Sequence, residues 1–240
     1  MLRRYTPYKD SALTTERRKL SAILNHAVQL LALIIRLGII KAHFYFFMDQ
    51  GRQMKVIGVI GQNGSGKDEV LKYLRAQHNI PFLSTGDMVR EIASKEDKDP
   101  TRENLQEISE RYFREFGRGF FVKQAAEKIC RSGWQIGGIT GIRSLDDVQT
   151  LRNSFGKDFI LINVYVSIPE LRYNRMRQRN ESRDPHSYEQ FLSQDEAEDN
   201  LFHIQCAAQY ADYSLNNDGS LDNLYKEIDE LIVKKGLLDT

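Results

Sequence analysis

The sequence predicts an α/β fold, a doubly wound parallel sheet of five strands. Two observations carry that expectation. Short apolar runs recur along the chain, and each is separated from the next by stretches whose apolar residues have helical spacing. That alternation is the pattern of strands joined by crossover helices. A glycine-rich loop, Gly61-Gln-Asn-Gly-Ser-Gly-Lys67-Asp68, also joins the first such run to the first such helix. The composition adds a sufficient apolar fraction for a core, 41% hydrophobic, with no repeat and no low-complexity tract.

The elements follow in order. Lys55-Val-Ile-Gly-Val-Ile60 suits a strand buried on both faces. The helix after the loop places Val70, Leu71 and Leu74 on one side. Asn79-Ile-Pro-Phe-Leu83 reads as a short second strand, and Ser84-Thr-Gly-Asp-Met-Val-Arg90 turns into a helix. Residues 101–116 are amphipathic through Leu105, Ile108, Tyr112, Phe113 and Phe116. Gly117-Arg-Gly119 breaks that helix, and residues 120–130 form the next. Residues 134–139 are the third strand. Ser144 is the expected N-cap of a helix to residue 154, with Asp146 and Asp147 in its first turn. Residues 159–166 are the fourth strand, and Ser167-Ile-Pro-Glu170 starts a helix with Pro in the first turn. That helix is basic, with Arg172, Arg175, Arg177 and Arg179, and a polar stretch to residue 187 follows it. Ser187-Tyr-Glu-Gln190 is a capping box. Tyr213-Ser-Leu215 is the fifth strand, and Ser220 caps the last helix, 221–235. Ligands of such a sheet bind at the carboxyl ends of its strands.

The loop carries the chemistry. Gly61, Gly64 and Gly66, with Asn63 and Ser65 between them, let backbone N–H groups converge on an anion. The helix N-terminus behind them adds partial positive charge. Lys67 reaches the β- and γ-phosphates of a nucleotide. Asp68 stands where such loops carry Ser or Thr, whose hydroxyl helps hold Mg²⁺. Its carboxylate is a hard oxygen ligand suited to Mg²⁺, so Asp68 is the candidate metal residue. The competing reading makes Asp68 a helix cap only. The cofactors this loop implies are ATP and Mg²⁺.

The bulk numbers exclude other classes. A formal net charge of +1 gives no general nucleic-acid binder. Cys130 and Cys206 are far apart, form no metal-ligand spacing, and read as reduced, mostly buried thiols of a cytoplasmic protein. Residues 1–53 form an appendage, and residues 54–240 the catalytic domain. Residues 1–52 carry nine Lys or Arg against three acids. The stretch around residues 27–47 approaches the roughly 20 residues a membrane span needs, but Arg36 and Lys41 fall inside it. Gln29, Arg36 and His43 would line one narrow polar stripe of a helix. That stripe fits a docking helix, but Met54 opens the first strand so cleanly that the appendage is read as a leader upstream of a start at Met54. A docking helix touching a membrane surface through residues 22–48 and a spanning or signal segment are the alternatives. No oligomeric state is assigned.

Taken together, these residues resemble the P-loop nucleotide kinases of the adenylate kinase and dephospho-CoA kinase type, from Met54 to the C-terminus. The chain looks closest to a group of archaeal and bacterial kinase-like ATPases related to dephospho-CoA kinase. Its counterparts to their motifs are the GSGK-acidic loop, Gly141-Ile-Arg-Ser144 and the late segment Ala211-Asp-Tyr…Gly-Ser220. Phage-type deoxynucleoside monophosphate kinases are similar in having an acid after the loop Lys.

The resemblance implies roles. Thr85 and Arg90, in the segment 84–90, would face an acceptor, with Arg90 gripping its phosphate. Asp87 would orient the attacking oxygen or hold metal; read without the resemblance, it is a helix cap. Arg143 would be a second acceptor contact. Thr140 stands where these kinases carry an acid, which shifts metal duty to Asp68 or Asp87. Arg175, Arg179 and Arg183 would be arginines of a helical lid, while Arg172 and Arg177 read as a solvated face. Asn217 and Gly219 would shape the base pocket. The expected activity is an ATP- and Mg²⁺-dependent phosphotransferase acting on a small acceptor, a nucleoside or deoxynucleoside monophosphate. Alternatives are dephospho-CoA kinase and a nucleotide-binding switch or slow ATPase working through a partner.

Overall fold

β1 (Lys55–Ile60), β2 (Phe82–Ser84), β3 (Ile136–Ile142), β4 (Phe159–Tyr165) and β5 (Tyr213–Asn216) form one parallel sheet in the order β2-β3-β1-β4-β5. The computed structural model describes residues 54–236, and the readings made for residues 1–53 lie outside the described residues. β1 is central because all but its first residue are buried. Such a strand is stable only with neighbours on both edges and helices on both faces. The connections after the neighbours β1 and β4 run to opposite ends of the sheet, which makes their carboxyl edge the topological switch point.

The helices are α1 (Lys67–His78), α2 (Thr85–Lys95), α3 (Arg102–Phe116), α4 (Phe120–Ser132), α5 (Leu145–Phe155), α6 (Pro169–Arg179), α7 (Tyr188–Phe202), α8 (Ile204–Ala208) and α9 (Leu221–Lys235). One core layer joins Ile57, Ile162 and Val164 of the sheet to Val70, Leu71 and Leu74 of α1 and to Leu224 and Ile228 of α9. A second cluster joins Val89 and Ala93 of α2, Ile108 of α3 and Phe121 of α4. Fully burying each large aliphatic side chain contributes about 1.5–3 kcal/mol. Among the described residues, no helix is long and apolar enough to cross a membrane.

The expected boundaries hold with physical exceptions. β2 starts at Phe82 rather than Asn79, because Asn79 is the left-handed C-cap of α1 and Pro81 has no N–H for the ladder. β3 runs on to Ile142, past the expected end at residue 139. It does so through an irregularity where Gly141 adopts φ +84° and the register against β1 slips. Thr140 and Gly141 are therefore strand, not loop. Only half of the Ser187 capping box forms, since the Gln190 side chain accepts from His186 N instead. The short α8 is absent from the expectation. Cys130 is buried, but Cys206 is exposed, against the reading of both thiols as mostly buried.

Candidate active site

The glycine loop turns β1 back into α1 under tight steric control. Gly64 and Gly66 have φ of +76° and +92°. A Cβ at Gly64 would lie 2.7 Å from the Arg172 carbonyl oxygen, and one at Gly66 would lie 2.3 Å from Asn217 Nδ2. Both positions need glycine. α1 then begins without a side-chain cap. α2, α3, α5, α7 and α9 open on Ser84, Thr101, Ser144, Ser187 and Ser220, each accepting a backbone N–H, while α4, α6 and α8 also lack a side-chain cap, so what marks α1 is the glycine loop in front of it. The orphan N–H groups of α1 and its positive dipole end are thus left at the loop, which is an anion site by construction. Ser65 Oγ, buried in the same loop, has no hydrogen-bond partner among the described residues.

Long-range contacts hold the loop in shape. Asn217 Nδ2 donates to the Ser65 carbonyl at 2.8 Å. Arg172 Nη1 donates to the Asn63 carbonyl at 3.2 Å, and the same guanidinium forks onto Asp195 of α7 at 2.6 and 2.7 Å. Gln62 Nε2 also reaches Asp195, at 3.3 Å, and Asn63 Nδ2 donates to Glu198. Arg172 is only 3% exposed and lies over the Phe191 ring, which corrects its reading as part of a solvated face. Arg177 does remain at the surface, donating to the His186 carbonyl.

A cleft of about 500 Å³ opens beside the loop, lined by Gly64, Gly66, Lys67, Asp68, Arg175, Arg179 and Asn217. That volume suits a small-molecule ligand, which typically takes roughly 300–1,000 Å³. Lys67 is buried, and burial pulls its ammonium below the ordinary lysine range against the attraction of Asp68. Asp68 Oδ1 accepts from Thr140 Oγ1 at 2.6 Å. Burial pushes the Asp68 carboxyl up, but Lys67 and the Thr140 hydrogen bond more than offset it and hold it low. Asp68 is therefore not the cap of α1; Gly66 is. Among the described residues, no cluster of three or more His, Cys, Asp or Glu could hold a metal by itself. A single carboxylate beside an anion loop does fit Mg²⁺, which takes one or two carboxylates together with substrate phosphates and water.

A second pocket, about 60 Å³, adjoins β3 at Gly141, with Thr85, Arg90, Arg102, Arg143, Arg183 and Glu198 in its wall. Thr85 is buried and donates to the Gly141 carbonyl at 2.9 Å. Every arginine here has an acidic neighbour of this chain. Arg90 pairs with Asp87, Arg183 with Glu181 at 2.6 Å, and Arg143 with Glu198, which also lies 4.0 Å from Arg102. Burial pushes the Glu198 carboxyl up, yet Arg143 and Arg102 outweigh it and keep the group ionised. Glu198 joins the two sites, because its other oxygen holds Asn63 of the glycine loop.

The lid arginines separate. Arg175 and Arg179 line the cleft, whereas Arg183 lines the pocket. Arg179 is gripped by the buried Asp184. Asp87 is not the cap of α2, since Ser84 holds that place and accepts from Asp87 N at 3.2 Å. The Asp87 carboxylate is largely exposed and lies on Arg90. Sequence reasoning missed Arg102, Asp184, Asp195 and Glu198. A signal for two of them exists. Phe191, Asp195, Glu198 and Phe202 fall on one face of α7, so two acids interrupt its apolar stripe.

Residues 60–191 match the model of a family described as an AAA domain. The chain is 34% identical over 179 residues to a UPF0200 protein of Thermococcus kodakarensis, covering 74% of this chain and 96% of that one. A UPF0200 protein of Pyrococcus abyssi is 35% identical over 182 residues, with coverage of 75% and 96%. Among solved structures, shikimate kinase from Acinetobacter baumannii in complex with shikimate superposes with a TM-score of 0.50 at 16% identity, over 78% of this chain and 97% of that one. Shikimate kinase from Bacteroides thetaiotaomicron gives 0.50 at 17% identity, over 78% and 99%. At these identities the likeness carries the kinase-like P-loop fold and nothing finer.

Proposed function

The chain belongs to the UPF0200 family, and from that premise we propose that it is an ATP- and Mg²⁺-dependent phosphotransferase acting on a small phosphorylated acceptor, a nucleoside or deoxynucleoside monophosphate. The observation that carries this reading is the pairing of sites. An anion-binding loop with a buried Lys67 and an arginine-lined pocket meet at the carboxyl end of β3, and Glu198 contacts both. Such transfer asks little covalent chemistry of the protein. It asks for alignment, cations on the developing charge and exclusion of water. In this reading Lys67 and the α1 N-terminus hold the donor phosphates, and Arg179 supports them from α6. Thr85, Arg90, Arg143 and Arg183 hold the acceptor. An acceptor oxygen forms the new P–O bond as the bond between the γ-phosphorus and ADP breaks. Mg²⁺, when bound, neutralises phosphate charge beside Asp68.

A second reading, a slow ATPase or nucleotide switch, draws on the pocket itself. About 60 Å³ is far less than a nucleotide fills, and its arginines already have acidic neighbours. A screen of nucleoside monophosphates, dephospho-CoA and small hydroxylated acids with ATP separates these readings. ADP release that depends on a monophosphate is the expected result. Release without any acceptor selects the ATPase, and release only with dephospho-CoA or a hydroxy acid moves the acceptor class.

A further inference from the structure

Thr140 is 1% exposed near the carboxyl end of β3. β3 is the hydrogen-bonded neighbour of β1, and the register sets Thr140 against Val59, two residues before the glycine loop opens. That register carries the Thr140 hydroxyl to the first turn of α1, where it donates to Asp68 Oδ1 at 2.6 Å. Nucleotide loops of this type ordinarily place a hydroxyl directly after the Lys and a carboxylate on a neighbouring strand, and both serve one Mg²⁺. Here the carboxylate follows Lys67 and the hydroxyl stands on the strand, two residues before its end. The two groups are both present, each on the other's backbone.

We propose that Asp68 and Thr140 are a position-exchanged pair, and that the Thr140 hydroxyl belongs to the Mg²⁺ site of this protein. The inference rests on the nucleotide-binding reading above. An ion responds to which oxygens surround it, not to which stretch of chain carries them. Two side chains in hydrogen-bond contact present the same set, one carboxylate and one hydroxyl, in either arrangement. The formal charge of the pair is also the same. Thr140 gives its only proton to Asp68, so that proton points away from a cation, and the oxygen keeps a lone pair for the ion or for one of its waters. Thr140 is thus the complement of Asp68, not a lost acid.

The test reads binding, not turnover. ADP affinity of the full chain is measured calorimetrically in Mg²⁺ and in EDTA. The wild type is expected to bind ADP more tightly in Mg²⁺. Thr140→Val should lose most of that gain, at least about fivefold, with affinity in EDTA unchanged, while Thr140→Ser keeps it. Asp68→Thr alone should lose the gain, and Asp68→Thr/Thr140→Asp should recover it. A melting curve of each variant without ligand checks folding, and Thr140→Ser and the double exchange carry the test should the Val variant not fold. An unchanged Mg²⁺ gain in Thr140→Val, or a double exchange no better than Asp68→Thr alone, overturns the inference while leaving the nucleotide site standing. No ADP binding by the wild type in either condition overturns the nucleotide reading, and this inference with it.

Discussion

The cleft beside the glycine loop and the arginine-lined pocket both connect to β3, the one through the Asp68–Thr140 hydrogen bond and the other through Gly141, but they are built by different means. The glycine loop at the cleft is mostly backbone: glycines at positive φ, an uncapped helix start, and one buried lysine, within eight consecutive residues, with the side chains of Arg175, Arg179 and Asn217 completing the cleft wall. The pocket is mostly side chains, with its arginines drawn from α2, α3, the turn after β3 and the segment after α6. A backbone site keeps its charge pattern without partners. A side-chain site must hold several long cations in place, and here acids of the same chain stand beside each of them. Only one of those acids, Glu198, is buried. The partly exposed pairs, Arg90–Asp87 and Arg183–Glu181, are worth roughly 0–1 kcal/mol. The Arg143–Glu198 pair is part of the framework.

The strongest way to break this comparison is Lys67→Ala. It should lower turnover by at least about 100-fold, the scale for removing one preorganised donor from transition-state charge. The melting temperature should stay near that of the wild type, because burial already disfavours the Lys67 charge. Initial rates beside a melt decide it, and near-normal turnover in a folded variant would sink the donor assignment.

A finer division follows between arginines. Arg143→Ala should lower kcat/KM for the acceptor by about 10- to 100-fold, or roughly 1.4–2.7 kcal/mol, and spare ATP affinity. Arg179→Ala should instead lower kcat with ATP. Steady-state kinetics with each substrate varied in turn would show the split. The same pattern in both variants would mean that the cleft and the pocket are one site.

The smallest effect on turnover is expected from Glu198→Gln, and its readout is stability. Losing a charged partner of Arg143 and Arg102 should cost roughly 1.5–3 kcal/mol near neutral pH. The folded-state carboxyl is held below its ordinary value, so its contribution is complete above the ordinary glutamate range, ~4.3, and disappears as pH falls through the lower folded value. Wild type and variant should therefore converge on acidification. Melting curves from neutral pH down to about pH 3 would test the sign, and a gap that widens in acid would contradict the ion-pair account.

The same contrast between contiguous and distant chemistry separates what the sequence makes legible from what it hides. The glycine loop could be read because its chemistry is contiguous. The sheet could be read because each strand is an unbroken apolar run bounded by turn signals. Ser144 and Ser220 capped where expected, since capping is a local event. Asp195 and Glu198 left a trace in the interrupted stripe of α7, but their partners and those of Arg102 were not legible because they lie 23 to 135 residues away. The role of Asp68 was only half visible. Its place in the loop was clear, but its contact with Thr140 spans 72 residues and depends on how β3 registers against β1.

Arg172 has a mechanical meaning. Its backbone carbonyl lies where Gly64 could accept no side chain, and its guanidinium is clamped between Asp195 and the Phe191 ring. That fixes α6 near its first turn. Arg179 sits seven residues further on, about 10.5 Å along the axis. α6 is thus a short lever with its fulcrum in the protein interior and a cation near its tip. A pivot of about 10° around Arg172 moves the Arg179 backbone by roughly 2 Å, more than the spread of ordinary hydrogen-bond lengths. Arg172 also donates to the Asn63 carbonyl, so the residue that anchors α6 is bonded directly to the loop that would hold the nucleotide.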